Sequence, residues 1–331
     1  MPAQENFMEQ AAPFRAELIA HCYRMLGSVH DAEDLVQETY LRAWRGYEAF
    51  EERAALRTWL YRIATTACLR ALQNRARRVL PAGLGEASVD PDTSLGGLGD
   101  KGGLHDWLEP IPDALMFESP EDAVTVRHSV RLAVMTALHE LPVRQRAVLI
   151  LRDVVQFSAA EVAELLETTP AAVNSSLQRA RAHLAEVSPI EENLTEPDSD
   201  YPADRRDLLD RYCAAFENAD MAALTALLQD DVKLEMPPLP IWFTGRDTVV
   251  RFLVARAFTT PGDIVLLPTA ANGQPAVAEY RRTADGVMRA HSIHVLTMGP
   301  KGHTDGTTGI AALTVFLDPA LFTAFGLPPT R

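Results

Sequence analysis

The chain has 331 residues, enough for two or three domains, and 47% are hydrophobic, enough for sizeable cores. No apolar run reaches the ~20 residues of a membrane span. The opening MPAQENFMEQ lacks a charged-then-apolar secretory pattern, and Cys22, Cys68 and Cys213 form no CxxC pair that would build a disulfide framework or a zinc site. A cytoplasmic protein with no metal, no cofactor and no membrane partner is therefore expected.

A net charge of −14 argues against a nucleic-acid partner until it is divided along the chain. Residues 1–78 hold 11 Arg and 10 acids, and 123–187 hold 7 Arg and 6 acids. Residues 79–122 hold one Lys and 10 acids, and 188–331 hold 12 basic and 19 acidic residues. The acid lies between and after two nearly neutral blocks, and local patches decide what each block binds.

Residues 12–78 read as helical throughout, with no proline between Pro13 and Pro81. In DAEDLVQETYLRAW (31–44), Ala32, Leu35, Val36, Thr39, Tyr40, Ala43 and Trp44 recur at helical spacing as an inward stripe. A second helix is expected over about 53–77, with Leu56, Trp59, Leu60, Ile63, Ala64, Ala67 and Ala71 inward. Residues 79–121 read as an acidic linker, with seven glycines between 83 and 103 and five prolines between 81 and 120. Its later part carries Trp107, Leu108, Ile111, Leu115, Met116 and Phe117, an apolar set suited to anchoring the linker on a surface.

Helix returns over 122–187 in four pieces, about 122–140, 143–155, 159–167 and 170–186. Ser158 and Glu161 form a capping box for the third, while Thr169 and Pro170 open the fourth. After a short acidic linker (188–202), residues 203–331 change character. Helices are expected around Leu208–Phe216, over 220–228 and after Gly245, with strands at 231–237, 263–270, 275–281, 286–298 and 308–317. That is an α+β domain with an antiparallel sheet.

Two features point to nucleic acid. From Arg53 to Arg78 there are seven arginines and no acid. Arg53, Arg57, Arg62, Arg70 and Arg77 avoid the inward stripe, in the company of Thr58, Thr65 and Asn74. Arginine forks grip phosphates, hydroxyls and amides reach base edges, and an aromatic such as Trp59 stacks on an unpaired base. The same run also reads as a solvated basic face with Trp59 in the core. The second feature is the capped pair of helices joined by ETTP, a helix-turn-helix spacing in which the second helix would enter the major groove. Any αα-hairpin shares that outline. In the fourth helix Val173, Leu177, Ala180 and Leu184 fall on one face, leaving a bland face of small, polar and weakly basic residues.

DAEDLVQETYLRAW and LRTWLYRIATTACLRALQNRARR (56–78) resemble the promoter-binding domain of the sigma-70 family, in its extracytoplasmic-function group. LHELPVRQRAVLILRDVVQFSAAEVAELLETTPAAVNSSLQRARAHL (138–184) is similar to that group's second DNA-binding domain. The resemblance implies region 2 over 10–78 and region 4 over 122–187, both all-α. It implies that Asp34, Gln37, Glu38 and Arg42 dock on the clamp helices of the largest subunit of core RNA polymerase. It places −10 recognition on Arg53, Arg57, Thr58, Trp59, Arg62, Thr65, Arg70, Asn74 and Arg77, with strand opening by a loop around Phe50–Arg57, where a flipped base needs a pocket. It places −35 recognition on Ala171, Ala172, Asn174, Ser175, Gln178 and Arg179, helped by Arg144 and Arg146. Where many members of the family carry V-K-S-R, this chain has Val173-Asn174-Ser175-Ser176, so two phosphate contacts are missing and the salt dependence should flatten. The acidic linker would thread the polymerase's RNA-exit path as an RNA mimic, or act as a solubilising spacer.

LLDRYCAAFENADMAALTALLQDDVKLEMPP followed by WFTGRDTVVRFL resembles the SnoaL-like fold, a cone of curved sheet and helices over 203–331. That resemblance implies a pocket for a small-molecule ligand, with Tyr212, Phe216, Glu235, Trp242, Phe243, Glu279, His291 and His294 as candidates to line it. Fold does not carry function, so a pocket carboxylate or histidine is not in itself an active site. The combined reading is an alternative sigma factor, not an enzyme, binding core polymerase and promoter DNA under a built-in C-terminal regulator. A SnoaL-type hydrolase or cyclase, and a ligand-sensing helix-turn-helix repressor, are the alternatives.

Overall fold

The computed structural model describes residues 2–47, 50, 55–73, 75–90, 106–117, 129–187, 202–256, 260–299 and 309–331. They form two compact units that interleave along the chain: residues 1–78 with 113–194, and 79–112 with 195–331.

The first unit is helical. Helices α1 (Pro2–Ala11), α2 (Arg15–Leu26), α3 (Val29–Gly46) and α4 (Leu56–Ala71) form its amino-terminal half. Gly27, at φ 71°, ends α2 in the left-handed conformation. Ser28 then caps α3, its hydroxyl accepting from the Asp31 amide at 3.1 Å. Leu18, Ile19, Cys22, Val36, Leu60, Ala64 and Cys68 close the core between these helices. Helix α4 stops at Ala71, short of the 77 expected from the pattern. Beyond it Arg75 and Arg78 both pair with Asp31, drawing the chain back along α3. Trp44 is 40% exposed and leaves the inward stripe. Counted at 100° per residue it stands about 80° from Val36, about 140° from Thr39 and about 100° from Ala43.

The other half comprises α5 (Leu132–Glu140), α6 (Val143–Leu149), a π-helical turn at Ile150–Val154, α7 (Ala159–Leu165) and α8 (Pro170–Val187). The capping box at Ser158 and Glu161 is formed in both directions. Thr169 Oγ1 accepts from the Ala172 amide at 3.2 Å, so α8 starts where its sequence signals place it. The expected helical residues 122–128 lie outside the described residues.

The second unit is α+β. Helices α9 (Pro202–Glu217), α10 (Met221–Leu227) and α11 (Arg246–Arg256) accompany strands β1 (Leu228–Glu235), β2 (Trp242–Thr244), β3 (Ile264–Ala271), β4 (Gln274–Arg282), β5 (Met288–Met298) and β6 (Ile310–Phe316). Strand order is β2-β1-β6-β5-β4-β3, antiparallel except for the parallel β1–β6 pair. One face of the sheet packs Leu234, Leu266, Val277, Leu296 and Leu313 against Tyr212 and Phe216 of α9 and Phe252 of α11. The other face meets the carboxy-terminal segment with its short helix α12 (Leu321–Ala324), where Phe322 meets Tyr280 edge-on at 5.1 Å. Tyr280 Oη donates to the Pro328 carbonyl at 2.9 Å.

Residues 79–112, expected to link two helical domains, belong with this sheet. The Ala82 amide donates to Glu235 Oε1 at 2.8 Å, and the Ser88 amide to the Trp242 carbonyl at 2.8 Å. Ile111 exchanges two bonds with Asn272, through its amide to Oδ1 and its carbonyl from the Asn272 amide. Leu108 and Ile111 are 1% and 0% exposed. Of the apolar residues that the sequence marks as an anchor, Trp107, Leu108 and Ile111 belong with the chain's own sheet, and Leu115, Met116 and Phe117 belong with the helical unit.

Candidate functional site

Three surfaces and one cavity hold the residues of interest. The first surface is the open side of α3. Ala32, Val36, Thr39 and Ala43 are buried, which turns Asp34, Gln37 and Glu38 to solvent and leaves Arg42 part-exposed. Arg42 pairs with Glu38 one turn back at 2.6 Å. Leu41, 55% exposed, and Trp44 share that side. A large apolar residue ringed by polar groups is what a protein–protein hot spot requires.

The second surface is α4, two of whose arginines, Arg57 and Arg62, are engaged within the unit. Arg57 donates from Nε to Glu17 at 2.9–3.0 Å and lies over the rings of Tyr61 and Phe157, 5.0 and 5.2 Å from their centroids. Arg62 is 3.8 Å from Glu167, in the turn before α8, and Arg77 pairs with Glu140. Arg70 is exposed and Thr58 part-exposed. Trp59 does not sit in the core. It stacks on Phe50 at 4.7 Å, and Phe50 in turn stacks on Tyr47. Thr65 corrects the expectation: it is fully buried with its hydroxyl 2.9 Å from His21 Nε2, so it reaches no base. Arg53 and Asn74 lie outside the described residues.

The third surface is α8. Val173, Leu177 and Ala180 are buried, and Ala171, Ala172, Asn174, Ser175, Gln178 and Arg179 are all exposed on the opposite side. Arg144 is exposed at the start of α6. Arg146 is the second correction, at 3% exposure. Its guanidinium donates to the carbonyls of Leu138 at 3.0 Å, His139 at 3.2 Å and Met25 at 2.6 Å. Those bonds tie region 4 to the end of α2, and an arginine so saturated has no fork left for a phosphate. Burial pushes Arg146 down to about 10, still protonated at neutral pH. Nearby, Arg24 donates to Ser129 Oγ at 2.8 and 3.1 Å. Burial, then the charges of Arg24 and Arg57, lower His21 to about 3. Burial, then Arg146, lowers His139 well below the ordinary histidine value.

The cavity, about 260 Å³, opens on the inner face of the sheet. Of the expected residues Tyr212, Phe216, Glu279, His291 and His294 line it. Glu235, Trp242 and Phe243 do not. Glu235 alternates away from Leu234 toward the Ala82 amide, and Trp242 Nε1 donates to the Gly85 carbonyl at 2.9 Å. Phe243 is enclosed in the core against Phe252, 4.6 Å between centroids. Arg256, Arg281 and Ser292 were not anticipated. Arg281 follows Glu279 by two residues, so strand alternation marks it for the same face. Glu279 pairs with Ser292 and Tyr280 with Ala290, leaving His291 at a bulge that aims its side chain into the cavity.

Glu279 is 1% exposed and fully engaged. Oε1 accepts from Arg281 Nε at 2.5 Å, and Oε2 accepts from Ser292 and lies 3.0 Å from His294 Nε2. His294 Nδ1 reaches the Tyr212 hydroxyl at 2.9 Å. Burial alone would raise this carboxyl, but the bond and charge of His294 and the charge of Arg281 outweigh it and hold Glu279 well below the carboxylate range. Burial pushes Tyr212 up and His291 down. No group of three or more metal-ligating side chains occurs among the described residues.

The comparisons follow the same division. The Sigma-70 region 2 family matches residues 12–78, Sigma-70 region 4 matches 131–184, and the SnoaL-like domain family matches 209–316. The ECF RNA polymerase sigma factor SigG of Mycobacterium tuberculosis (strain H37Rv) is 47% identical over 99% of this chain and 86% of its own length. SigW of Bacillus subtilis (strain 168) is 29% identical over 55% of this chain and 88% of its own length. The crystal structure of the M. tuberculosis extracytoplasmic-function sigma factor SigJ covers 97% of this chain and 99% of its own, at 23% identity and a TM-score of 0.57. That likeness shows the shared fold of helical domains and cone.

Proposed function

From the premise that this chain belongs to the extracytoplasmic-function sigma factors, we propose how its parts divide the work of an alternative sigma factor, which directs promoter-specific initiation by RNA polymerase. The outward edge of α3, with Asp34, Gln37, Glu38 and Arg42 around Leu41, docks on the clamp helices of core polymerase. Helix α4 serves the −10 element, with the Tyr47–Phe50–Trp59 stack beside the opening loop. Helix α8 reads the −35 element in the major groove. The observation that carries this reading is the face of α8: six side chains stand in solvent over a buried stripe, behind a formed capping box. The protein acts in the bacterial cytoplasm, where polymerase and promoter are.

The compact helical unit is a closed form. Elements at −35 and −10 are about 25 base pairs apart, roughly 85 Å at 3.4 Å per pair. A compact unit of this size is only about 40 Å across. Reading both elements at once requires region 2 and region 4 to part, breaking the Arg146 bond to Met25 and freeing Arg62 and Arg77 from Glu167 and Glu140.

The cone is a regulator rather than an enzyme. A general base must be free to take a proton. Glu279 is ionised but already accepts from Ser292 and Arg281 beside His294. What the cone does hold is residues 79–112, the segment that joins regions 2 and 4. Run-off transcription with core polymerase tests both statements. The full chain should give a promoter-specific transcript, and its absence sinks the sigma reading. Glu235→Ala, which removes the acceptor for Ala82, should change the yield of that transcript. Unchanged yield would make the seated linker irrelevant to initiation.

A further inference from the structure

The cavity of the cone joins an apolar interior to a polar part whose charges are already paired. Its interior is made by Phe216, Leu234, Met236, Phe252, Leu313 and Val315. An apolar cavity of about 150 Å³ holds benzene, so one of about 260 Å³ takes a body of about ten heavy atoms. Glu279 is the one acid among the described residues that line it. Its Oε1 accepts from Arg281 Nε at 2.5 Å, and its Oε2 is engaged by Ser292 and His294. Arg256, exposed at the end of α11, has a partner of its own. An anion would have to draw Arg281 from Glu279, and a cation would have to draw Glu279 from Arg281. Either leaves a buried polar group unsatisfied. A charged ligand would also give up its hydration for a lining that, among the described residues, offers it no free counter-charge. His291 differs from these groups. It lines the cavity, part-buried at the bulge, and makes no hydrogen bond to any described residue. Burial lowers it, so at neutral pH it is a neutral imidazole with one donor and one acceptor to offer.

We propose that the cone is a receptor for a compact, uncharged apolar molecule with one oxygen function, its body against Phe216, Leu234, Met236, Phe252, Leu313 and Val315 and its hydroxyl or carbonyl on His291. This goes beyond the sigma reading and is independent of it, since promoter-directed initiation without ligand does not depend on an occupied cavity.

The test is equilibrium dialysis of the full-length chain at neutral pH against four probes that share one ring system of that size: 2-naphthol, naphthalene, 2-naphthoate and 2-naphthylmethylamine. Naphthol should bind one per chain, and the anion and the cation each at least tenfold more weakly. Naphthalene, which lacks the hydrogen bond, should bind about fivefold more weakly than naphthol. His291→Phe keeps a planar ring and removes both nitrogens. It should bring naphthol down to the affinity of naphthalene and leave naphthalene unchanged. Leu313→Trp should abolish binding of both by filling the interior. The His291 variant decides the matter if the Leu313 variant fails to fold. Equal or tighter binding of either charged probe, a naphthol affinity indifferent to His291→Phe, equal loss of naphthol and naphthalene in that variant, or no naphthol binding at millimolar concentration would overturn the proposal. Run-off transcription by the same preparation separates that failure from a failure of the sigma reading.

Discussion

Helices α4 and α8 invite opposite expectations from those their structures support. The first carries the arginines, yet in the folded unit Arg57 belongs to Glu17 and Phe157, Arg62 faces Glu167, and the nearby Arg77 pairs with Glu140. The second is bland, yet every one of its expected reading residues stands in solvent. Charge in a sequence measures what a helix can bind, and its neighbours decide what it is free to bind. A basic helix opposite acids of its own chain is held in reserve, whereas α8 pairs Arg181 with Asp153 but keeps its expected reading residues in solvent, available and weak.

The largest expected effect comes from breaking the hold on α4. Arg146→Ala removes a buried cation from three carbonyls and should cost the helical unit about 3 kcal/mol in urea denaturation. It should also raise non-specific DNA binding by the free chain, as α4 is released. Unchanged stability would mean that the contact with Met25 carries no weight.

Acid should act in the same direction. His21 lies at about 3 in the folded unit against 6.5 unfolded, so the unfolded chain takes up the proton first. Its contribution is complete above pH 6.5 and is lost as pH falls through 6.5 toward 3. At pH 5 that is about 2 kcal/mol, and His139, lowered by burial, shifts stability with the same sign. Glu279 has a depressed carboxyl, so it begins to destabilise the cone only below about pH 4.5. Circular dichroism against pH should show helical loss starting near 6, before the strands are affected. Simultaneous loss would contradict this order, although His291 gives the cone a lesser sensitivity of the histidine kind.

Arg179→Ala should weaken −35 binding about tenfold, about 1.4 kcal/mol, with no change in melting temperature. Gel shifts together with thermal denaturation check both halves. Smallest is Arg57→Ala, which should lower stability by no more than about 1 kcal/mol and barely change DNA binding by the free chain. If it costs as much DNA affinity as Arg179→Ala, the contrast between the two helices fails.

Much of this architecture is legible from periodicity. Val173, Leu177 and Ala180 specify which side of α8 is buried, and the complementary face follows. Glu279 and His294 reach the cavity because they fall on the correct side of alternating strands. What escapes is whatever depends on a distant partner. Arg146 is indistinguishable from Arg144 in the sequence, and only the carbonyl of Met25, 121 residues away, separates a buried tie from a surface cation. Thr65 escapes for the same reason, through His21. Glu235, a pocket candidate by resemblance, misses the cavity because a strand turns it to the face opposite Leu234, toward the Ala82 amide. His291, expected at the pocket, does line it, by way of a bulge that no local signal announces.

The seat of residues 79–112 has a consequence for the order in which the protein is made. Its partners Glu235, Trp242 and Asn272 are all synthesised after region 4 is complete. At about 5–20 residues per second, a growing chain spends roughly ten to thirty seconds with both sigma regions emerged and the strap unseated. For that interval Leu108 and Ile111, later almost fully enclosed, have nothing to cover them. A chain cut before the cone stays in that condition permanently. Deleting the cone therefore does two things at once, removing a domain and stripping an apolar segment in the middle of what remains. Glu235→Ala loosens the strap and leaves its cover in place.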